Sequence, residues 1–172
     1  AIDKSVFPGM QGGPLEHVIA AKAVAFAEAA TDEFREYAAR IVQNSQALGA
    51  ALAAEGFRLV SGGSDNHLNL VDLRTFDAEL TGKEAQAACD QTAITLNKNT
   101  VPDDPRSPFV TSGLRIGTPA VTTQGMGQAE MERIAGLLAA TLRHRDDPTV
   151  LAGIRSDVAT LVEPFAPYPS GD

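Results

Sequence analysis

Apolar positions along this chain recur first at helical spacing, then at strand spacing, then at helical spacing again. Leu15, Val18, Ile19 and Phe26 fall on one helical stripe behind the turn-rich run Pro8-Gly9-Met10-Gln11-Gly12-Gly13-Pro14. Pro14 suits a first helical position, where its missing N–H needs no partner. Residues 1–7 read as extended chain or loop. Thr31 or Asp32 caps a second helix whose Phe34, Tyr37, Ile41, Leu48 and Leu52 keep the three-to-four spacing, and Gly56 closes it. Alternation then takes over, predicting strands at 57–60 and 67–73 across the turn Ser61-Gly62-Gly63-Ser64-Asp65-Asn66. Thr81 with Glu84 forms a capping box for a short helix to about residue 90. Strands follow at 94–97 and at Leu114-Arg115-Ile116-Gly117, separated by a proline-stiffened loop over 98–112. Two helices close the pattern. One carries Met131, Ile134, Leu138 and Leu142; the other is capped by Asp147, opened by Pro148 and carries Leu151, Ile154, Val158, Leu161 and Val162. Pro164, Pro167 and Pro169 then end regular structure. This order predicts an α+β fold, an antiparallel-rich sheet with helices packed on one face.

Composition narrows the chemistry. The 172 residues carry 14 Lys+Arg against 22 Asp+Glu, a formal charge of −8, which disfavours a nucleic-acid partner. With 44% hydrophobic and 21% charged residues the chain reads as globular. No apolar run reaches the ~18 residues of a membrane span. Cys89 is the single cysteine; it cannot form an internal disulfide and reads as a small buried hydrophobe, which fits a cytoplasmic setting. His17, His67 and His144 are too scattered for a metal signature.

Three features carry candidate chemistry. Gly12 and Gly13 precede a helix, where free backbone N–H groups and a helix dipole suit a phosphate or other anion; a tight turn is the plainer alternative. Arg115 shares its strand face with Gly113 and Gly117, so its fork has room to grip a carboxylate bidentately, or else it is a solvated arginine on an open sheet. In the long loop, Asn99 can read a heterocycle edge and Phe109 can pack on a ring, or Phe109 anchors the loop to the core. Asp103 and Asp104 read as turn residues.

Several stretches together resemble the serine hydroxymethyltransferase family. They are Val6-Phe7-Pro8-Gly9-Met10-Gln11-Gly12-Gly13-Pro14-Leu15-Glu16-His17-Val18-Ile19-Ala20, Ser61-Gly62-Gly63-Ser64-Asp65-Asn66-His67, Leu80-Thr81-Gly82-Lys83-Glu84 and Asn97-Lys98-Asn99-Thr100-Val101-Pro102. The most specific is Ser107-Pro108-Phe109-Val110-Thr111-Ser112-Gly113-Leu114-Arg115-Ile116-Gly117-Thr118-Pro119-Ala120. The resemblance implies a pyridoxal-phosphate-dependent transferase of fold type I, a homodimer of one-carbon metabolism. Such an enzyme interconverts serine and tetrahydrofolate with glycine and 5,10-methylenetetrahydrofolate. By position it implies that Arg115 binds the substrate carboxylate, that Gly12 and Gly13 help bind the cofactor phosphate, and that Asn99, Ser107, Pro108 and Phe109 contact folate.

The resemblance also implies a cofactor lysine within a Thr-Thr-His-Lys motif, and none of Lys4, Lys22, Lys83 and Lys98 stands in one. The expectation is therefore a C-terminal part of such an enzyme, inactive alone: residues 1–30 as the end of the large cofactor-binding domain and its linking helix, residues 31–172 as the small domain. Two other readings are a threonine aldolase-like enzyme that does not use folate and a non-catalytic dimerisation module.

Overall fold

Residues 1–167 are described by a computed structural model, and the chain falls into two units, one over Ala1–Glu36 and one from Tyr37 onward. In the first, residues 2–6 are helical rather than extended, whereas Phe7 (φ −130°, ψ 127°) is extended. A helical turn, α1 (Ile2–Lys4), forms because the Ala1 carbonyl accepts from both the Ser5 backbone N–H and its hydroxyl, each at 3.1 Å. Helix α2 (Glu16–Ala29) begins later than Pro14. The Leu15 carbonyl accepts from the N–H groups of Val18 (2.9 Å) and Ile19 (3.1 Å), so the first turn closes on Leu15 and Pro14 stays outside it. Alanine and apolar residues surround α2, and none is buried within this unit; a helix apolar on every side calls for cover on every side. Thr31 caps α3 (Asp32–Ala54), its hydroxyl accepting from the Phe34 N–H at 3.2 Å.

In the second unit Gly56, at φ +94°, ends α3 as its sequence position predicts, with the Phe57 N–H returning to the Leu52 carbonyl at 3.0 Å. Strands β1 (Arg58–Leu59), β2 (Leu68–Asp72), β3 (Asn97–Asn99) and β4 (Gly113–Gly117) form one antiparallel sheet in the order β1-β2-β4-β3. Val71 lies opposite Leu114, and both point into the core with Leu59. Leu48 and Leu52 of α3, Ala85 and Cys89 of α4 (Gly82–Gln91), and Met131, Leu138 and Leu142 of α6 (Gln128–Arg143) cover that face. Helix α7 (Pro148–Val162), capped by Asp147, adds Leu151, Ile154 and Val158 against Leu137 and Ile94.

Two details depart from the sequence reading. The third strand starts at Asn97 rather than at residue 94, because α4 ends in a return of the chain: Ala93 takes φ 63°, the Ile94 N–H bonds the Cys89 carbonyl at 2.9 Å, and Ile94 packs into the core. A short helix, α5 (Pro119–Thr123), follows β4 and carries no apolar period that would announce it. It is fastened to α3 by polar groups, with Thr118 Oγ1 donating to the Ile41 carbonyl (2.9 Å) and buried Asn44 Nδ2 to Thr122 Oγ1 (2.9 Å). Among the described residues no helix is long and apolar enough to cross a membrane. Pro164 and Pro167 follow α7 as expected, whereas Pro169 lies outside the described residues.

Candidate functional site

The side chain of Arg115 emerges from the middle of β4 on the sheet face opposite the core. The register sets its neighbours: Leu70 of β2 lies directly opposite on one side and Asn97 of β3 on the other. One Arg115 Nη2–H donates to Asn97 Oδ1 at 3.1 Å. Among the described residues the guanidinium has no carboxylate within 4.0 Å. A pocket of about 270 Å³ opens over it, lined by Leu68 and Leu70, by Asn99, and by Ser61, Gly63, Ser64, Asp65 and Asn66 from the β1–β2 turn. The turn is shaped from within, since Ser64 Oγ donates to the Leu68 carbonyl (2.6 Å) and Asn66 Oδ1 accepts from the Leu68 N–H (2.8 Å).

The flanking glycines do not both leave space, contrary to the sequence reading. A Cβ at Gly113 would stand 2.5 Å from Val101 Cγ1 and from the Val71 carbonyl oxygen. Gly113 is therefore a close approach of backbone and loop, and the room around Arg115 lies on the side of the β1–β2 turn. Asn99, two residues along β3 from Asn97, shares the same face and is half-buried, with Nδ2 donating to the Thr100 carbonyl at 2.7 Å.

The loop between β3 and β4 is built on charged groups. Asp104 accepts from the N–H groups of Val101 (3.2 Å), Arg106 (3.0 Å) and Ser112 (2.9 Å) and from Ser112 Oγ (2.7 Å). Burial pushes its carboxyl up, but those hydrogen bonds outweigh it and hold Asp104 below the usual carboxylate value. Arg106 donates to the carbonyls of Leu80 (3.0 Å) and Ala78 (2.8 Å) and to Ser112 Oγ (3.2 Å). Buried Asp72 pairs with Arg74 (2.7 Å) and Arg58 (3.2 Å), and Arg74 reaches on to the Pro102 and Asp103 carbonyls. Asp103 and Asp104 thus shape the loop, as their turn-like setting implied. Ser107, Pro108 and Phe109 form a tight turn closed by the Val110 and Thr111 N–H groups on the Ser107 carbonyl. Phe109 is 83% exposed, so it does not anchor the loop. Thr111 adopts φ 62° with its hydroxyl buried and unpartnered, an unfavourable conformation for a β-branched residue. Its carbonyl accepts from the Gly82 N–H at 3.0 Å, tying the loop to the start of α4.

In the first unit Gly12 and Gly13 lie in the exposed loop ahead of α2. Neither amide has a hydrogen-bond partner among the described residues, and a Cβ at either would meet nothing within 4 Å. They border a groove of about 410 Å³ that also includes Lys22.

A family model for serine hydroxymethyltransferase matches residues 1–138. The chain belongs to that family. The matched span contains Gly12, Gly13, Asn99, Ser107, Pro108, Phe109 and Arg115, and it runs through the whole sheet of this serine hydroxymethyltransferase-family member into α6. Asn97 escaped sequence reading as a site residue, as did Ser64, Asp65 and Asn66. The register of β3 on β4 identifies the first, and the fold of the turn over Arg115 identifies the others; neither has a sequence period of its own.

Proposed function

We propose that this chain supplies the substrate-carboxylate and folate-contacting parts of a serine hydroxymethyltransferase. The enzyme moves the hydroxymethyl carbon of serine to tetrahydrofolate, giving glycine and 5,10-methylenetetrahydrofolate. The observation that carries the reading is Arg115, an arginine without an acidic partner, on the floor of a pocket beside Asn99. Two of its N–H groups can grip a carboxylate side by side, while Leu68 and Leu70 keep the surroundings apolar enough to strengthen that contact. The grip fixes the carboxylate end of the amino acid and thereby orients the rest of it. Asn99 offers an amide edge to a flat heterocycle. Phe109 is held out from the Ser107 turn as an aromatic surface for a ring, which supports folate use over an aldolase without it.

Pyridoxal phosphate, when bound, supplies the electron sink that serine chemistry requires. Gly12 and Gly13 suit its phosphate, since their amides are unpartnered and no side chain blocks the approach. None of Lys4, Lys22, Lys83 and Lys98 stands in the Thr-Thr-His-Lys motif that the family resemblance implies. The reading therefore takes the cofactor lysine from outside these 172 residues and expects the chain by itself to leave added pyridoxal phosphate with the spectrum of the free aldehyde. It places the protein in a homodimer that binds serine, glycine and tetrahydrofolate.

The test is Arg115→Lys in the full-length protein. An ammonium cannot reproduce the two-pronged grip, so KM for serine should rise by an amount on the order of 2–4 kcal/mol, while KM for tetrahydrofolate stays unchanged. An unaltered KM for serine would remove the role.

A further inference from the structure

We propose that Asn97 is a positioning residue that aims the Arg115 guanidinium without neutralising it. This rests on the reading of Arg115 as the carboxylate clamp and adds how the clamp is kept both fixed and fully charged. Asn97 and Arg115 are cross-strand partners in the β3–β4 ladder, so their Cβ atoms are placed side by side by the sheet itself. The contact joins Arg115 Nη2 to Asn97 Oδ1 at 3.1 Å and occupies one of five donors, leaving Nε and Nη1 without protein partners among the described residues. The choice of an amide is the telling part. Arg35, Arg58, Arg74, Arg143 and Arg145 are each held by a carboxylate, which orients a guanidinium but cancels its charge. An asparagine oxygen gives direction alone, and the positive charge remains for an anionic ligand. Asn99, on the same face of β3, bonds the Thr100 carbonyl, so the strand's two asparagines have different tasks.

The experiment measures glycine and glycinamide binding to the cofactor-loaded, full-length protein for wild type, Asn97→Ala, Asn97→Asp and Arg115→Ala. Glycinamide lacks the carboxylate and reports everything except the clamp. Asn97→Ala should weaken glycine binding about five-fold or more and leave glycinamide within two-fold, because a freed guanidinium must be ordered again on binding. Asn97→Asp keeps an acceptor at the same place but adds a charge, and it should weaken glycine more than Asn97→Ala does. Near-isosteric Asn97→Asp also guards against a folding defect in the alanine variant, with urea midpoints compared for both. Glycine affinity within two-fold of wild type in Asn97→Ala, equal losses for glycine and glycinamide, or an Asn97→Asp protein that binds glycine as well as wild type would each overturn the proposal. Arg115→Ala separates the two levels. If it leaves glycine binding intact, the clamp itself is wrong; if it abolishes binding while Asn97→Ala stays within two-fold of wild type, only the positioning role is wrong.

Discussion

Gly113→Ala probes the packing that seats Arg115 and Asn99. A Cβ at this position would lie 2.5 Å from the Val71 carbonyl oxygen, 2.5 Å from Val101 Cγ1 and 3.0 Å from the Asn99 carbonyl oxygen. Ordinary contact begins at 3.4 Å, so about 0.9 Å is lacking on two sides. Val101 can give a little, but the two carbonyls belong to the strands on either side of β4, and a shift away from one drives the chain toward the other. Overpacking costs about 1–3 kcal/mol, and a weakened ladder hydrogen bond adds about 1, which gives an expected loss of about 2–4 kcal/mol. Gly136, inside α6, supplies the reference, because a Cβ there meets nothing within 4 Å. Gly136→Ala should raise stability by about 0.5–1 kcal/mol through helix propensity alone. Urea unfolding followed by far-ultraviolet circular dichroism measures both. Midpoints that move in the same direction, or a Gly113→Ala loss below about 0.5 kcal/mol, would show that the sheet yields freely at this point and refute the reasoning.

Two further outcomes are expected. Four carboxyls are held below their ordinary values: Asp72 by the Arg74 guanidinium, Asp77 by the Glu79 N–H, Glu84 by the Thr81 hydroxyl, and Asp104 by Ser112 and its neighbours against the effect of burial. A carboxyl depressed in the fold stabilises it above the unfolded value and loses that contribution as pH falls through the folded value, so stability should be level from pH 7 to about 5 and decline below about 4.5; equal urea midpoints at pH 5 and pH 3 would contradict this. Cys89 is 0% exposed and burial pushes its thiol up to about 12, so an aromatic disulfide reagent at pH 8 should label it only after unfolding, and stoichiometric labelling of the native protein would contradict its placement.

Much of the architecture is written locally. The Thr81–Glu84 capping box, the Asp147–Pro148 helix start, the Gly56 terminator and the alternation in β2 and β4 each act over a few residues, and each is where its sequence pattern predicts. The displaced third strand has a different origin. Ile94-Thr95-Leu96 has strand propensity, but the end of α4 claims the backbone of Ile94 for its own closure, and pairing with β4 waits until Asn97. Helix α5 was hidden because its attachments are side-chain hydrogen bonds to α3 from residues some 80 positions distant, such as Asn44 to Thr122. In the site, the alternation along β4 puts Arg115 on the open face without any structure. Its partner Asn97 depends on register across 18 residues, which no local pattern encodes.

Of the two alternatives the sequence leaves for Phe109, the anchor is the one that its exposure excludes. Core burial is the usual fastening for a long loop, and an aromatic within it is then the natural peg. Here the fastening is polar. Asp104 accepts four hydrogen bonds, Arg106 reaches the carbonyls of the segment before α4, and Arg74 spans from Asp72 to Pro102 and Asp103. Bonds to ionised groups are individually stronger than neutral ones, so a loop with only Val101 and two residues next to β4 buried holds its shape without an aromatic peg. Phe109 is thereby released from a structural duty and stands in solvent at the tip of a braced turn, where a flat ligand can meet it with little ordering of the protein left to do. The division of labour is physical: charged groups fix the loop, and the fold leaves the ring it presents uncovered.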